Sequence, residues 1–348
     1  MYMKTVYVGM SGGVDSSVSA LLLKEQGFNV VGVYMKNWSE DLPGMKCPWA
    51  EDLADAKRVA VKLGIDFEVW DFEKEYREKV VKYMLSEFKK GNTPNPDIMC
   101  NQEIKFKLFY EKAMERGADY IATGHYARII DNKLARAKDE NKDQTYFLYR
   151  ISNEALAHTL FPIGNMLKPD VKKLAQEKGL HNAYKKESMG VCFVGEVGMK
   201  DFLKKYIDIA PGEIREIESE KLLGYHEGAV FYTIGQRHGL YLDGEKGKIN
   251  DGMPFYVVKK DTERNIVYVS KNLNHEAIWN KELKLQDLFI RDKIPKNILV
   301  RLRHRAPLAP ATFNKDTLQF ENEIKRPASG QSAVFYDGKI CLGGGIIV

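Results

Sequence analysis

Residues 5–19 read TVYVGMSGGVDSSVS. Val6 and Val8 stand in a β-branched and aromatic run that suits a buried strand. Met10 to Asp15 then bring two adjacent glycines among small polar residues. From about Ser16 the pattern VSALLLKEQG predicts a helix with Val18, Leu21 and Leu22 on its apolar face and Gly27 as its stop. A strand, a glycine turn and a helix N-terminus in succession make an anion site. The glycines let backbone approach a ligand, the first helical N–H groups lack intrahelical partners, and the dipole favours negative charge. Ser11, Ser16 and Ser17 are candidate hydroxyl donors. No lysine lies between Lys4 and Lys24, so this is not a GxxxxGK[ST] phosphate loop.

Working outward, strands and helices alternate. NVVGVYM (29–35), residues 65–70 and DYIAT (119–123) read as strands. EDLADAKRVAVKL (51–63) and residues 73–90 read as amphipathic helices, and residues 36–50 as a loop over the site. The alternation predicts an α/β domain with a doubly wound parallel sheet, whose ligands bind at the carboxyl ends of the strands. Loops after Gly9, Met35 and Thr123 should therefore converge on one crevice. Helices are predicted at 169–178 and 199–206. Beyond Pro211–Gly212 the texture changes to short β-type runs: AVFYTIG, PFYVVKK, NIVYVS, ILVRLRHR, SAVFYDG and KICLGGGIIV. The expected organisation is an α/β domain over 1–206, then two small β-rich domains over 211–273 and 274–348.

The 348 residues allow such a division, and the net charge of +5 permits a polyanionic partner without requiring one. No run of 18 apolar residues exists, so no membrane partner is expected, and the early first strand argues against a signal peptide. The four cysteines (Cys47, Cys100, Cys192, Cys341) are far apart and form no CxxC pair. That spacing disfavours zinc, an iron–sulfur cluster or a disulfide scaffold, and suits a reducing cytoplasm.

Cys100 follows the stiff segment TPNPDIM and precedes a helix with Phe106, Phe109, Tyr110 and Ala113 as its buried face. Placed at a helix N-terminus with Lys105 and Lys107 nearby, it reads as an activated thiolate; as a small buried hydrophobe, it reads as inert. Cys192 lies in KKESMGVCFVG, where the apolar run 191–194 also suits a plain buried strand. In ILVRLRHR, alternation puts Arg301, Arg303 and Arg305 on one face, which reads as a phosphate track or as a charged edge. Tyr232, Gln236, Arg237 and His238 read as a binding loop or as a plain glycine turn between strands, and the plain turn is the expectation kept.

SGGVDSS resembles the pyrophosphate loop of the ATP pyrophosphatase superfamily (PP-loop, an adenine nucleotide α-hydrolase-like fold). TPNPDIMCN, DQTYFL, GVCFVG, GYHEGAVFYTIGQRHGL and SGQSAVFYDGKICLGGG, in register over nearly the whole chain, resemble the bacterial tRNA-specific 2-thiouridylases. The resemblance implies that ATP adenylates the 2-oxygen of a wobble uridine and that sulfur from a cysteine persulfide replaces it, with release of AMP and pyrophosphate. It implies ATP contacts at Gly9, Met10, Ser11, Gly12, Gly13, Val14, Asp15, Ser16, Met35 and Gly124, with magnesium expected. Cys192 would carry the persulfide. Cys100 would attack it or pair with Cys192 in a disulfide. Asn95, Pro96 and Asp97 would meet the target base.

The same resemblance points to tRNA contacts at His125, Lys142, Asp143, Gln144, Arg303, His304 and Gln331. Asp143 would orient a neighbour or read a base, and His125 reads equally as an ordinary group at a strand end. Implied partners are lysine, glutamate and glutamine tRNAs and a cysteine desulfurase or sulfur-relay protein. The chain departs from the family pattern at Glu187, usually aspartate, and at Arg303–Ala306 (RHRA), usually close to RYRQ. The rival reading is another adenylating synthetase or amidotransferase on the same loop, with passive cysteines.

Overall fold

A computed structural model describes residues 3–41, 47–186, 198–240 and 253–348. Its first sheet contains β1 (Thr5–Gly9), β2 (Asn29–Lys36), β3 (Asp66–Asp71) and β4 (Tyr120–Thr123). A hairpin, β5 (Ala127–Ile130) and β6 (Lys133–Arg136), precedes the short edge strand β7 (Thr159–Leu160). The sheet order is β3-β2-β1-β4-β7 and every pair in it is parallel. The order reverses between β1 and β4, where Gly9 lies beside Val33 on one side and Thr123 on the other. Such a switch point opens a crevice at the carboxyl ends of the strands.

Period-two alternation in β1 divides the domain into its two cores. Val6 and Val8 face one core with Val18, Leu21 and Leu23 of α1 (Val14–Glu25) and Ala56, Val59 and Leu63 of α2 (Trp49–Leu63). Tyr7 faces the other, with Trp70 and two longer helices. The first, α3, runs through the consecutive segments Glu73–Tyr76, Arg77–Val81 and Lys82–Lys89, with a wide π-type middle turn. The second, α4, runs through Pro96–Met99, Cys100–Leu108 and Phe109–Glu115, and its middle is again π-type. Helices cover both faces, so the expected doubly wound α/β sheet is the one observed.

Four strands follow: β8 (Gly212–Glu216), β9 (Leu222–His226), β10 (Tyr256–Asp261) and β11 (Ile266–Ser270), in the order β10-β11-β8-β9. AVFYTIG, expected as a strand, is instead a 3-10 turn at Ala229–Phe231. Beyond it the chain bonds to itself: the Tyr232 hydroxyl donates to Gly239 O and Gln236 Nε2 to His238 O, as in the plain turn expected there.

The last strands are β12 (Trp279–Ile290), β13 (Asn297–Arg301), β14 (Ala309–Asn314), β15 (Thr317–Lys325), β16 (Ser332–Asp337) and β17 (Ile340–Ile347). The long β12 pairs with β15 through its first half and with β17 through its second, which closes six strands into a barrel. Ile340 of β17 also pairs with Ala135 of β6, so the β5–β6 hairpin of the first domain extends the barrel wall.

The barrel is docked through buried polar contacts. The Tyr146 hydroxyl donates to Ser332 O at 3.0 Å, and the Tyr149 and Ser332 hydroxyls lie 3.1 Å apart. Arg301 corrects one expectation. β13 ends there, and Arg301 is buried with its guanidinium 2.7 Å from the Asp143 carboxylate. Only Arg303 and Arg305 of the three arginines are exposed, because the chain leaves the strand before reaching them.

Candidate functional site

The glycine turn sits at the switch point. Met10 N still donates to Val33 O, after which the chain leaves the sheet. Gly12 has φ +76, and a Cβ there would run into Asp52 O of α2, so conformation and space both require glycine. Gly13 is the extended N-cap of α1, and the helix begins at Val14, two residues earlier than its pattern suggested. Gly124, just after β4, closes the other side. A Cβ on it would lie 2.6 Å from Ser16 N and 2.8 Å from Asp15 C. On the strand below, a Cβ on Gly9 would lie 2.9 Å from Met35 Cε. The first turn of α1, whose N–H groups lack intrahelical partners, thus stands at the crevice in a backbone cradle whose glycines are packed too closely on neighbouring atoms for any side chain.

Hydroxyls hold this turn from within. Ser16 Oγ accepts from Ser11 N and donates to Gly13 O, and Ser17 Oγ also donates to Gly13 O. Ser17 is fully buried, so its hydroxyl belongs to the loop itself and is not a ligand donor as expected. The Asp15 carboxylate is held by Lys168 Nζ, 2.7 Å from each oxygen, and by the Tyr126 hydroxyl at 3.0 Å. Asn182 Nδ2 donates to both Gly12 O and Ser17 Oγ at 2.9 Å. Lys185 pairs with Asp52 at 2.7 Å and Asp55 at 2.6 Å, on the helix against which Gly12 packs. Sequence reading missed Lys168, Asn182 and Lys185. Their signal was faint, because each contacts a residue more than a hundred positions earlier.

The second half of the site is the start of α4. Asn95 is its N-cap, with Oδ1 accepting from Asp97 N and Ile98 N, and Pro96 occupies the first helical position. Burial raises the Asp97 carboxyl above its ordinary range, against the pull of Lys105. Cys100 therefore does not sit at the helix N-terminus as expected. It stands one turn in, 3% exposed, where the π-type segment begins. The next residue, Asn101, donates to Phe147 O at 3.1 Å, which ties α4 to the segment 143–149. Cys192 and Glu187 lie outside the described residues.

The residues assigned to tRNA divide into two groups. Lys142 and Arg303 reach the surface, partly and fully. The others are engaged within the protein. Asp143 is buried, accepting from Ala137 N, Thr145 N, the Thr145 hydroxyl and Arg301. Of its two readings, the orienting one matches these bonds. Gln144 is latched to Tyr126 through its side-chain oxygen and its backbone N–H. His125 shares a 2.8 Å hydrogen bond with Thr123 Oγ1, and burial holds its pKa well below 6.5. His304 packs on Phe147 with ring centroids 4.5 Å apart, and burial beside Arg305 and Arg301 lowers its pKa to about 4. Gln331 Nε2 donates to Thr93 O at 2.6 Å.

Comparison with known proteins decides the family. Residues 4–196 match the tRNA methyl transferase HUP domain, 200–271 the tRNA methyl transferase PRC-barrel domain, and 277–347 the aminomethyltransferase beta-barrel domain. The chain is 47% identical to tRNA-specific 2-thiouridylase MnmA 1 of Geobacillus kaustophilus, over 100% of this chain and 96% of that one. It is 46% identical to the MnmA of Lactiplantibacillus plantarum (98% and 94% covered) and 47% to that of Idiomarina loihiensis (99% and 96%). This chain belongs to the tRNA-specific 2-thiouridylase family. The domain descriptions carry a methyl transferase label, whereas the full-length relatives are thiouridylases; alignment over nearly the whole chain at 46–47% identity favours the relatives' name.

Proposed function

We infer that this chain is an ATP-dependent tRNA 2-thiouridylase. The observation that carries this reading is the pairing of full-length family membership with a glycine turn at the switch point, where the start of α1 stands at the carboxyl ends of the strands. ATP is used at the cradle through Gly9 to Ser16, Met35 and Gly124. The uridine 2-oxygen attacks the α-phosphorus, pyrophosphate leaves and an adenylated base results. Asp97, with its raised pKa, is suited to take and return a proton at the base, and Asn95 and Pro96 shape the turn that receives it.

Sulfur arrives as a persulfide on Cys192. The outer sulfur bonds to C2 and AMP leaves. The Cys100 thiolate then attacks the inner sulfur, so that the sulfur–sulfur bond breaks, a Cys100–Cys192 disulfide forms and the outer sulfur stays on the base. A thiol reductant restores both cysteines. In the alternative route Cys100 attacks the persulfide first and frees hydrosulfide, which displaces AMP. Lys142 and Arg303 would meet the tRNA, while Asp143, Gln144, His125, His304 and Gln331 hold the elements that present them.

Magnesium fits this site as the companion of the triphosphate. No group of three His, Cys, Asp or Glu side chains is gathered among the described residues, and Asp15 is held by Lys168. Phosphate oxygens and water would thus supply most of its ligands. When bound it would neutralise phosphate charge. The sulfur donor is a cysteine desulfurase or relay protein, the substrates are lysine, glutamate and glutamine tRNAs, and the compartment is the cytoplasm. No helix among the described residues is long and apolar enough to cross a membrane.

The test is mass analysis of unmodified tRNA incubated with protein, ATP and a persulfide source. The expected result is the mass gain of oxygen replaced by sulfur, with AMP and pyrophosphate released only when tRNA is present. Release of ADP, or normal thiolation by a Cys100→Ser variant, would overturn the reading and favour a synthetase with passive cysteines.

A further inference from the structure

The three domains meet at Gly91–Thr93, immediately before the turn that holds Asn95 and Asp97. Helix α3 ends there in a left-handed cap. Gly91 has φ +82, Gly91 N donates to Phe88 O and Asn92 N donates to Glu87 O. Carbonyls remain exposed at such an end and carry the negative pole of the helix. Lys260 of β10 donates to Gly91 O at 2.9 Å. No carboxylate pairs with Lys260 among the described residues, and the residue is half-buried. A charge in that setting is costly unless it satisfies something, and what it satisfies is the end of α3.

The barrel grips the same link from its own side. Thr93 N donates to Ser329 O at 2.7 Å, and Thr93 O accepts from Gln331 Nε2 at 2.6 Å. A Cβ on Gly330 would lie 3.0 Å from Asn92 Cβ, and one on Gly91 would lie 2.8 Å from Thr262 Cγ2. The link is therefore packed on both sides with little slack. Two residues after Thr93, Asn95 begins the helix that carries Asp97 and Cys100.

We propose that Lys260 and Gln331 are positioning residues for thiolation: by holding Gly91–Thr93 in register against both β-domains, they set where Asn95, Asp97 and Cys100 stand relative to a bound uridine. This rests on the reading of those three residues as base site and nucleophile. It gives the central β domain a part in the chemistry, although none of its described residues is among those read as base site or nucleotide cradle. It gives Gln331 a second task beside any contact with tRNA.

The experiment compares Lys260→Met, Lys260→Arg and Gln331→Leu in single-turnover thiolation, with tRNA and ATP affinities measured alongside. Lys260→Met should lower the rate at saturating tRNA about tenfold while both affinities stay within about twofold, because small displacements at a reacting centre act on the rate. Lys260→Arg, which keeps a charged donor, should recover most of the rate. Gln331→Leu should lower the same rate, and its combination with Lys260→Met should lose less than the product of the two, since both act on one link. A Lys260→Met rate equal to wild type, or a loss explained wholly by weaker tRNA binding, overturns the proposal. If Lys260→Met does not fold, an unchanged saturating rate for Gln331→Leu overturns it instead. Cys100→Ser is run in the same assay: should it thiolate normally, the functional reading fails whatever Lys260 does.

Discussion

Replacing Gly124 by alanine should separate nucleotide chemistry from tRNA binding. The added Cβ would stand 2.6 Å from Ser16 N, 2.8 Å from Asp15 C and 2.9 Å from Ser16 Cα. All three are main-chain atoms, so no side chain can swing away to make room. Ordinary van der Waals contact starts near 3.4 Å, which means that the start of α1 and the chain after β4 must part by about 0.8 Å. The start of α1 has little freedom to move. Asp15 is held by Lys168 and Tyr126, Gly13 O by two serine hydroxyls, and Gly12 O by Asn182. Overpacking of this kind costs about 1–3 kcal/mol in stability. Its larger effect should be on the cradle, where a displacement approaching 1 Å can cost about 10²-fold in rate. The assay is tRNA-dependent pyrophosphate release against ATP concentration, with tRNA affinity measured by filter binding. The expected outcome is kcat/KM for ATP lowered about 10²-fold and tRNA affinity within about twofold of wild type. Pyrophosphate release within about threefold of wild type would refute the idea that Gly124 and the helix start form one phosphate cradle.

Other perturbations test separate parts of the molecule. Arg301→Met leaves the Asp143 carboxylate buried without its closest cation and should cost about 3–5 kcal/mol by denaturant midpoint; a loss under about 1 kcal/mol would remove the pair from any role in docking the barrel. Cys100→Ser should keep tRNA-dependent pyrophosphate release and lose thiolation, read by tRNA mass; loss of both would tie Cys100 to nucleotide activation. His304 is neutral when folded, with a pKa of about 4 against 6.5 for the free side chain. The unfolded chain therefore binds the extra proton between those values, and stability should fall as pH drops from 6.5 towards 4. Melting temperature followed across that window should show a shallower slope for His304→Phe, and an identical slope would mean that another group dominates.

What could be read from the chain alone was whatever depends on near neighbours in sequence. The β1–glycine turn–α1 unit, the alternation that gives a parallel sheet, the crevice after β1 and β4, and the change to β structure past Pro211 all follow from local periodicity and turn chemistry. The family was legible for the same reason, since its signatures are contiguous blocks. Tertiary structure decided which polar groups are spent on the fold. Alternation put Arg301 on a face with Arg303 and Arg305, yet β13 ends at Arg301 and its guanidinium is buried on Asp143, 158 positions away. Asp15 stood in the sequence only as one of a run of implied ATP contacts, and the partner that holds its carboxylate, Lys168, lies 153 positions on. Cys100 read as the start of a helix because Pro94 and Pro96 precede it, but Asn95 accepts the first N–H groups and moves the start back by a turn. A charge is placed by the partner that desolvates with it, and a barrel is closed by the strand that reaches both its neighbours. Those partners are chosen by the folded chain as a whole, and so they carry no local pattern.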